Sequence, residues 1–223
     1  MTRDKYAIIM AAGSGSRMGA SRPKQFLEIN SKPILRHTIE RFLEYDTSMG
    51  IIVVLPADYK QYWKDYCSRS AFMERYTMVS GGITRFHSVR NALKYVPDGA
   101  LVAVHDGVRP FVTCEFIGRM FDAAATCEAV IPALPSVDSL REITRDGCSL
   151  AIDRSRIVTV QTPQVFRSEI LKKAYASAYS TSFTDDASVV EACGYKITLQ
   201  EGLRGNFKIT SPEDLVLAEA LCK

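Results

Sequence analysis

A run of small residues near the start of the chain is followed by basic residues, and together they could bind phosphate groups. Residues 11–16 read AAGSGS, and Arg17, Arg22 and Lys24 follow. Small side chains let the backbone approach a ligand closely, and successive backbone N–H groups in such a turn form an anion-binding hollow. Arginine adds a fork of donors and lysine adds a point charge. The segment could therefore hold phosphate and stabilise negative charge that develops on it.

Two better-known phosphate-binding patterns do not match this segment. The dinucleotide fingerprint G-x-G-x-x-G starts well with Gly13 and Gly15 but meets Met18 where its third glycine belongs. The P-loop ends in G-K-[ST], whereas Lys24 is preceded by proline and followed by glutamine. A nicotinamide-dependent oxidoreductase is therefore disfavoured, and an ordinary tight turn after a strand stays open as an alternative for this segment alone.

Polar residues also follow the later strands of the expected sheet. In an open α/β sheet, ligands bind outside the carboxyl ends of the strands, so these residues are expected to lie near the small-residue loop. They are found in the segments SGGITR (residues 80–85), HDGVRP (105–110), DS (138–139), TPQ (162–164) and NFK (206–208).

The elements that must position these residues alternate between strands and helices. Apolar runs predict strands at residues 6–10, 51–55, 76–79, 101–104, 129–134 and 196–200, although Pro132 weakens the fifth because proline cannot donate to a ladder. Helical patterns fall between them and at the end of the chain. This rhythm predicts an α/β fold with a mostly parallel central sheet covered by helices on both faces.

The rhythm breaks between residues 135 and 160. Two alternating segments flank Arg145, Asp146 and Gly147, and Asp-Gly between alternating runs favours a β-hairpin. A hairpin buries little by itself and needs a surface to lie on. We expect residues 136–159 to form a β-arm that contacts a second subunit; the alternative is a hairpin folded back on its own domain.

Composition limits the class of protein. The chain has 223 residues, 47% of them hydrophobic, which suits one domain over residues 1–223. The net charge of +3 comes without a basic block, so no nucleic-acid partner is expected. Neither a membrane-spanning run nor a signal peptide is expected, and six scattered cysteines without C-x-x-C spacing suggest a reducing cytoplasm.

Six motifs together closely resemble one enzyme family. They are AAGSGSRMGASRPKQF, SGGITRFHSV, VHDGVRPFV, QTPQVF, TDDASVVEACG and NFKITSPEDL, in this order over nearly the whole chain. They resemble the 2-C-methyl-D-erythritol 4-phosphate cytidylyltransferases of isoprenoid biosynthesis. The resemblance implies a Rossmann-like nucleotidyltransferase fold and a homodimer with a protruding β-arm. It also implies a reaction of CTP with a sugar-alcohol phosphate that releases pyrophosphate and uses Mg²⁺.

The resemblance also implies which residues form the site. Those expected to surround CTP are Ala11, Ala12, Gly13, Ser14, Gly15, Gly82, Ile83, Ser88, Asp106 and Gly107. Those expected to hold the second substrate are Arg109, Ser139, Arg154, Thr162, Thr184 and Lys208. The expected catalytic residues are Arg17 and Lys24, which match cations that stabilise the transition state, and Arg154 and Lys208, which would aim the attacking phosphate. Asp106 is the candidate ligand for Mg²⁺.

The chemistry can be argued from the residues as well. A phosphate monoester is already anionic near neutral pH, so its attack on the α-phosphorus of CTP needs no general base. The enzyme needs cations, N–H donors and alignment instead. His37, His87 and His105 are therefore expected to be structural.

Four positions depart from the family pattern and leave alternatives open. Gly107 stands where alanine is common, Ser139 where threonine is common, Arg141 where lysine is common, and Ile83 where an acidic residue is common. A related enzyme that acts on ribitol 5-phosphate is the nearest alternative function. A catalytically inactive nucleotide-binding regulator is a second, although the presence of both Arg17 and Lys24 argues against it.

Overall fold

The computed structural model describes residues 3–13, 22–73 and 75–222. Within them, the strands are β1 (Lys5–Met10), β2 (Glu28–Ile29), β3 (Lys32–Pro33), β4 (Gly50–Leu55), β5 (Thr77–Ser80), β6 (Leu101–Asp106), β7 (Ala129–Pro135), β8 (Leu140–Ile143), β9 (Ser149–Ile152), β10 (Val158–Val160), β11 (Gln164–Arg167) and β12 (Thr198–Glu201). The helices are α1 (Ile34–Tyr45), α2 (Lys60–Arg69), α3 (Arg85–Leu93), α4 (Cys114–Thr126), α5 (Ser168–Tyr175), α6 (Asp186–Ala192) and α7 (Pro212–Leu221).

An eight-stranded sheet forms the centre of the fold. Strands β5, β4, β1 and β6 lie side by side and run parallel. Next comes β11, antiparallel to both β6 and β7, while β12 runs parallel to β7. Within this sheet, only β10 and β11 form antiparallel pairs with their neighbours, so the prediction of a mostly parallel α/β sheet is confirmed.

Helices cover both faces of this sheet because its strands are apolar on both sides. Along β1, Ile9 packs into one core with α1, α2 and α4, whereas its neighbour Ile8 packs into another with α3, α5 and α6. Side chains alternate across a strand, so a continuous apolar run supplies both cores. A third, smaller cluster joins Ile29 and Ile34 to Ala218 of α7.

The helix starts follow from local chemistry. Thr84 caps α3, Thr113 caps α4, and Asp185 and Ser211 form capping boxes at α6 and α7. In each case a side-chain oxygen accepts a backbone N–H that the helix leaves without a partner. These caps fix the residues at which α3, α4, α6 and α7 begin.

Pro132 is accommodated inside β7 despite the expectation that it would weaken the strand. Its carbonyl accepts the backbone N–H of Gln161 at 2.8 Å, where the neighbouring antiparallel chain changes register between β10 and β11. The missing proline N–H therefore falls where the ladder is already interrupted.

The predicted hairpin is present. Strands β8 and β9 pair as a separate two-stranded sheet, and Gly147 in the connecting turn has a φ of 83°. Both strands expose large apolar side chains, with Ile143 72% and Leu150 59% exposed. None of the helices in the described residues is long and apolar enough to cross a membrane.

Candidate active site

A cleft of about 520 Å³ lies at the carboxyl ends of β1, β5 and β6. Ala11 follows β1, Gly82 follows β5 and Asp106 ends β6, so residues at three strand ends of the parallel part of the sheet line the cleft. The residues that line the cleft are Met10, Ala11, Ala12, Gly13, Lys24, Gln25, Gly82, Ile83, Thr84, Arg85, Ser88, Asp106, Val108, Lys208 and Thr210.

The first wall is the small-residue segment after β1. Ala11 continues the sheet, since its N–H donates to the carbonyl of Val54 at 2.9 Å. The loop after β5 comes very close to it: a Cβ added to Gly81 would lie 2.5 Å from the Cβ of Ala12. Only glycine fits at that contact, which explains the first of the two glycines after β5.

The second wall is the start of α3. The backbone N–H of Gly82 donates to Ser88 Oγ at 2.9 Å, and Ser88 Oγ donates to the carbonyl of Thr84 at 3.0 Å. These bonds fold the loop onto the first turn of the helix. Ile83, between them, is 95% exposed at the rim of the cleft, so it presents an apolar face to whatever ligand enters.

Cations from distant parts of the chain surround Asp106. Lys208 Nζ lies 3.0 Å and Arg109 Nε 3.2 Å from the same carboxylate oxygen, Oδ2. Burial by itself would raise the pKa of the Asp106 carboxyl, but Lys208, Arg85 and Arg109 outweigh burial and hold its pKa well below the usual range. Asp106 is therefore an anion at physiological pH and orients the cations beside it.

A hydrogen-bonded chain supports Asp106 from behind. Thr162 Oγ1 accepts the backbone N–H of Asp106 at 3.0 Å and lies 3.1 Å from His105 Nδ1. His105 Nε2 lies 3.1 Å from the carbonyl of Arg109, which can only accept, so Nε2 carries the proton and Nδ1 accepts from Thr162. Burial lowers the pKa of His105 to about 4, in keeping with this neutral form and with a structural role.

A further cation lines the cleft from α3. Arg85 Nη2 lies 2.6 Å from Asp186 Oδ2, and the hydroxyl of Tyr175 donates to Asp186 Oδ1 at 2.6 Å. Asp186 is fully buried, whereas about a third of the Arg85 side chain is exposed. Burial opposes the charge on Arg85, but Asp186 outweighs it and raises the arginine pKa. The pair thus holds a permanent cation at the cleft wall.

Lys24 enters the cleft from a short 3-10 helix, Lys24–Phe26. Its Nζ donates to the carbonyl of Ile209 at 3.0 Å, next to Lys208 in sequence. Lys24 and Lys208 both line the cleft, together with Ala11, Ala12 and Gly13 of the small-residue segment. With Arg85, three cations and one carboxylate, Asp106, line the cleft among the described residues, so the cleft suits an anionic ligand.

The structure brings many of the predicted site residues together. Those that line the cleft are Ala11, Ala12, Gly13, Lys24, Gly82, Ile83, Ser88, Asp106 and Lys208. Those directly behind its wall are Gly107, Arg109 and Thr162. Those exposed away from it are Ser139 and Arg154 on the arm and Thr184 before α6. Ser14, Gly15 and Arg17 lie outside the described residues.

The arm residues hold no position at the cleft of their own subunit. Arg154 Nη1 donates to the carbonyl of Val137 at 2.6 Å, across the base of the hairpin, and Ser139 is exposed close by. Gly107, by contrast, is packed: a Cβ there would lie 3.0 Å from the carbonyl of Met10 and 3.1 Å from the Cβ of Ala11. Alanine at this position would need a small shift of the first wall.

A metal ion would find few protein ligands here. Among the described residues, no cluster of three or more His, Cys, Asp or Glu side chains could hold one. Asp106 is the carboxylate that lines the cleft, and both of its cations contact Oδ2. One carboxylate oxygen is enough for a magnesium ion that keeps several waters and arrives on phosphates.

Six residues that line the cleft were not among the predicted site residues: Met10, Gln25, Thr84, Arg85, Val108 and Thr210. Arg85 lies in the segment SGGITR, but its carboxylate partner, Asp186, is about a hundred positions away, and no local pattern connects the two. Gln25 and Thr210 are uncharged, so their residue types alone do not predict phosphate binding. A hint existed for Gln25, since a glutamine between Lys24 and Phe26 in a buried turn needs partners for its amide.

Comparison with known proteins adds a family. Residues 6–223 match the family model of 2-C-methyl-D-erythritol 4-phosphate cytidylyltransferase. The protein of that name from Phocaeicola vulgatus is 50% identical over 218 residues, covering 98% of this chain and 99% of its own. The one from Porphyromonas gingivalis is 50% identical over 222 residues, covering 99% of each chain.

Solved structures agree with these sequences. The crystal structure of 4-diphosphocytidyl-2C-methyl-D-erythritol synthase from Anaerococcus prevotii superposes with a TM-score of 0.83 at 29% identity, covering 99% of this chain and 98% of that one. The crystal structure of 2-C-methyl-D-erythritol 4-phosphate cytidylyltransferase from Thermus thermophilus superposes with a TM-score of 0.77 at 33% identity, with the same coverage.

Proposed function

The chain belongs to the 2-C-methyl-D-erythritol 4-phosphate cytidylyltransferase family, and from that premise we propose how its residues carry out the reaction. The enzyme transfers CMP from CTP to 2-C-methyl-D-erythritol 4-phosphate and releases pyrophosphate, in the non-mevalonate pathway to isoprenoid precursors. Ribitol 5-phosphate, the alternative acceptor, is not favoured, since relatives near 50% identity all carry the first name.

The reaction moves charge and needs no proton removed. A phosphate oxygen of the acceptor attacks the α-phosphorus of CTP, a new P–O bond forms, and the bond to pyrophosphate breaks in line with it. Negative charge grows on the non-bridging oxygens and on the departing pyrophosphate. Catalysis therefore depends on fixed cations and N–H donors that meet this charge without rearranging.

The observation that carries the proposal is that Lys24 and Lys208 line one cleft together with Ala11, Ala12 and Gly13 of the small-residue segment. The triphosphate would lie along Ala11–Gly13, and the resemblance adds Ser14, Gly15 and Arg17, which lie outside the described residues. Lys24 would stabilise the charge on the α-phosphate and the leaving group. Arg17 is assigned the same role from the resemblance alone.

The base and ribose would lie against the second wall. Gly82 and Ser88 offer a close backbone approach because their hydrogen bond folds the loop flat against α3. Ile83 has no acidic group to bind a ribose hydroxyl, so a contact there would use the backbone. Its exposed side chain would cover an apolar face of the nucleoside instead.

The acceptor phosphate would be aimed by Lys208, with Arg109 behind it. Asp106 keeps both cations oriented, and Thr162 keeps Asp106 in place. Gly107 gives the wall behind Asp106 room to approach Ala11. Thr184 is exposed outside this cleft, so its contact with the acceptor rests on the resemblance alone.

We propose a homodimer in which the arm, residues 136–159, completes the partner's site. Three facts support it: β8 and β9 form a sheet of their own, they expose Ile143 and Leu150, and Arg154 and Ser139 lie on the arm. Arg154 would then contact the acceptor phosphate across the dimer. Sedimentation velocity tests the assembly, since a monomer at micromolar concentration would contradict it.

Magnesium is proposed as the cofactor that arrives with CTP. Asp106, through Oδ1, would be its protein ligand, and the ion would supply neutralising charge on the phosphates. The six cysteines are all unbridged, which supports the proposal of a reducing compartment such as the cytoplasm.

A pyrophosphate-release assay tests the whole proposal. The protein is incubated with Mg²⁺, each of the four ribonucleoside triphosphates, and either 2-C-methyl-D-erythritol 4-phosphate or ribitol 5-phosphate. Release is expected only with CTP and the first acceptor, and should stop when Mg²⁺ is chelated. Preference for ribitol 5-phosphate would overturn the assignment of the acceptor. Activity unaffected by chelation would overturn the cofactor.

A further inference from the structure

We propose that Gln25 is a positioning residue for the nucleotide, because its side-chain amide withdraws two backbone carbonyls from the triphosphate site. Gln25 Nε2 donates to the carbonyl of Ala11 at 2.6 Å and to the carbonyl of Gly13 at 3.1 Å. Carbonyl oxygens only accept, so the NH₂ end of the amide must be the one that faces them. Both hydrogens of this amide nitrogen are used, at a side chain that is only 2% exposed.

The two carbonyls belong to the loop that would carry the triphosphate. A carbonyl oxygen turned into that site would repel phosphate, whereas an N–H would attract it. In a planar peptide, the C=O of one residue and the N–H of the next point in opposite directions. Holding the Ala11 carbonyl against Gln25 therefore turns the N–H of Ala12 the other way. Gln25 therefore determines which backbone groups of this segment, N–H or C=O, face the triphosphate site.

Gln25 is itself firmly held. It sits between Lys24 and Phe26 in one short 3-10 helix, and Phe26 is buried against Tyr59 and Tyr62 with ring centroids 5.3 Å away in each case. The same turn thus carries Lys24, the Gln25 amide that binds the two carbonyls, and Phe26, which is buried in the core. Displacing the amide would shift the small-residue loop relative to the Lys24 amino group.

This inference rests on the proposed placement of CTP, and isosteric variants test it. Gln25→Met keeps the length of the side chain and removes both donors. We expect kcat/KM for CTP to fall by about 10- to 100-fold, the cost of misplacing binding groups by a fraction of an ångström to an ångström. The KM for the acceptor should stay within about threefold of wild type, a change much smaller than the expected fall in kcat/KM for CTP.

Gln25→Glu supplies a second readout that a purely structural role would not give. The carboxylate would face two carbonyl oxygens and repel them, so its pKa should be raised. Protonation restores one donor. The ratio of variant to wild-type kcat/KM should therefore rise several-fold from about pH 8 to about pH 6, while the ratio for Gln25→Met stays flat.

Ser168→Ala is the matched control. Ser168 is fully buried, accepts the N–H of Ala100 at 3.1 Å, and lies at the opposite end of β6 from Asp106. Its loss should lower the Tm and leave kcat/KM for CTP unchanged. A folded Gln25→Met with wild-type kcat/KM for CTP, or a Gln25→Glu ratio independent of pH, would overturn the role of Gln25. Wild-type protein that releases no pyrophosphate would instead overturn the proposed site and function.

Discussion

Replacing Lys24 by alanine should slow the reaction strongly and leave the fold intact. The amino group lies in the cleft, and it donates a hydrogen bond to a neutral acceptor, the Ile209 carbonyl. Losing such a bond costs the folded state about 1 kcal/mol. A donor that meets charge developing in the transition state is worth about 3–4 kcal/mol. The expected result is a fall in kcat of about 10²- to 10³-fold.

Single-turnover release of pyrophosphate, with enzyme in excess over CTP, measures this effect on the chemical step. Thermal unfolding measured on the same samples checks the fold. Lys64→Ala, at an exposed position on α2 outside the cleft, is the matched control and should behave as wild type. Lys24→Arg should recover part of the rate because it keeps the positive charge. Recovery should be incomplete because the guanidinium is larger and has a different, forked geometry.

The kinetic pattern decides between roles for Lys24. A raised KM for CTP with unchanged kcat would mean that the lysine binds the ground state and the transition state equally. A near-normal kcat and KM together would refute the reasoning, since Lys24 would then face the reacting phosphates without affecting them.

Three further changes separate other roles. In steady-state assays, Arg154→Ala should raise the KM for the acceptor about tenfold or more, the effect expected from losing a charge-assisted hydrogen bond. The KM for CTP should stay unchanged. A raised KM for CTP instead would contradict the proposed position of Arg154. Asp186→Ala deprives Arg85 and Tyr175 of their shared partner. It should cost about 3 kcal/mol, seen in calorimetry as a Tm lower by about 6–12 °C; an unchanged Tm would contradict that pairing. Because burial lowers the pKa of His105 to about 4, the unfolded chain binds the extra proton first as pH falls below about 6.5. Stability should be full above that pH and fall by about 3 kcal/mol toward pH 4; urea unfolding should show a shallower dependence in His105→Asn.

The fold followed closely from the sequence because its strands and helices differ strongly in pattern. Uninterrupted apolar runs such as residues 51–55 are buried on both faces, and only a parallel sheet between two helical layers accommodates them. The Asp-Gly turn at 146–147 likewise predicted the hairpin from local conformational preference. Pro132 was expected to weaken the strand at residues 129–134, yet the strand forms. The local rule does not take into account that the ladder beside Pro132 is already interrupted.

The candidate site could be predicted only in part. The small-residue loop, Lys24 and Asp106 stand at strand ends, and the topology of such sheets brings strand ends together. The residues that these groups contact in the folded protein could not be predicted from the sequence. Nothing in the local sequence shows that Lys208 pairs with Asp106, or that Thr162 supports the same aspartate from behind.

What the sequence determined by itself is the order of the elements, the residues at their ends and, through six ordered motifs, the family. These depend on local pattern, which a linear chain displays directly. Only the tertiary structure decided which charges meet, that Arg85 is held by Asp186, and that the Gln25 amide donates to the carbonyls of Ala11 and Gly13. Such choices depend on burial, because a charge or an amide removed from water must find whatever partner the fold brings near.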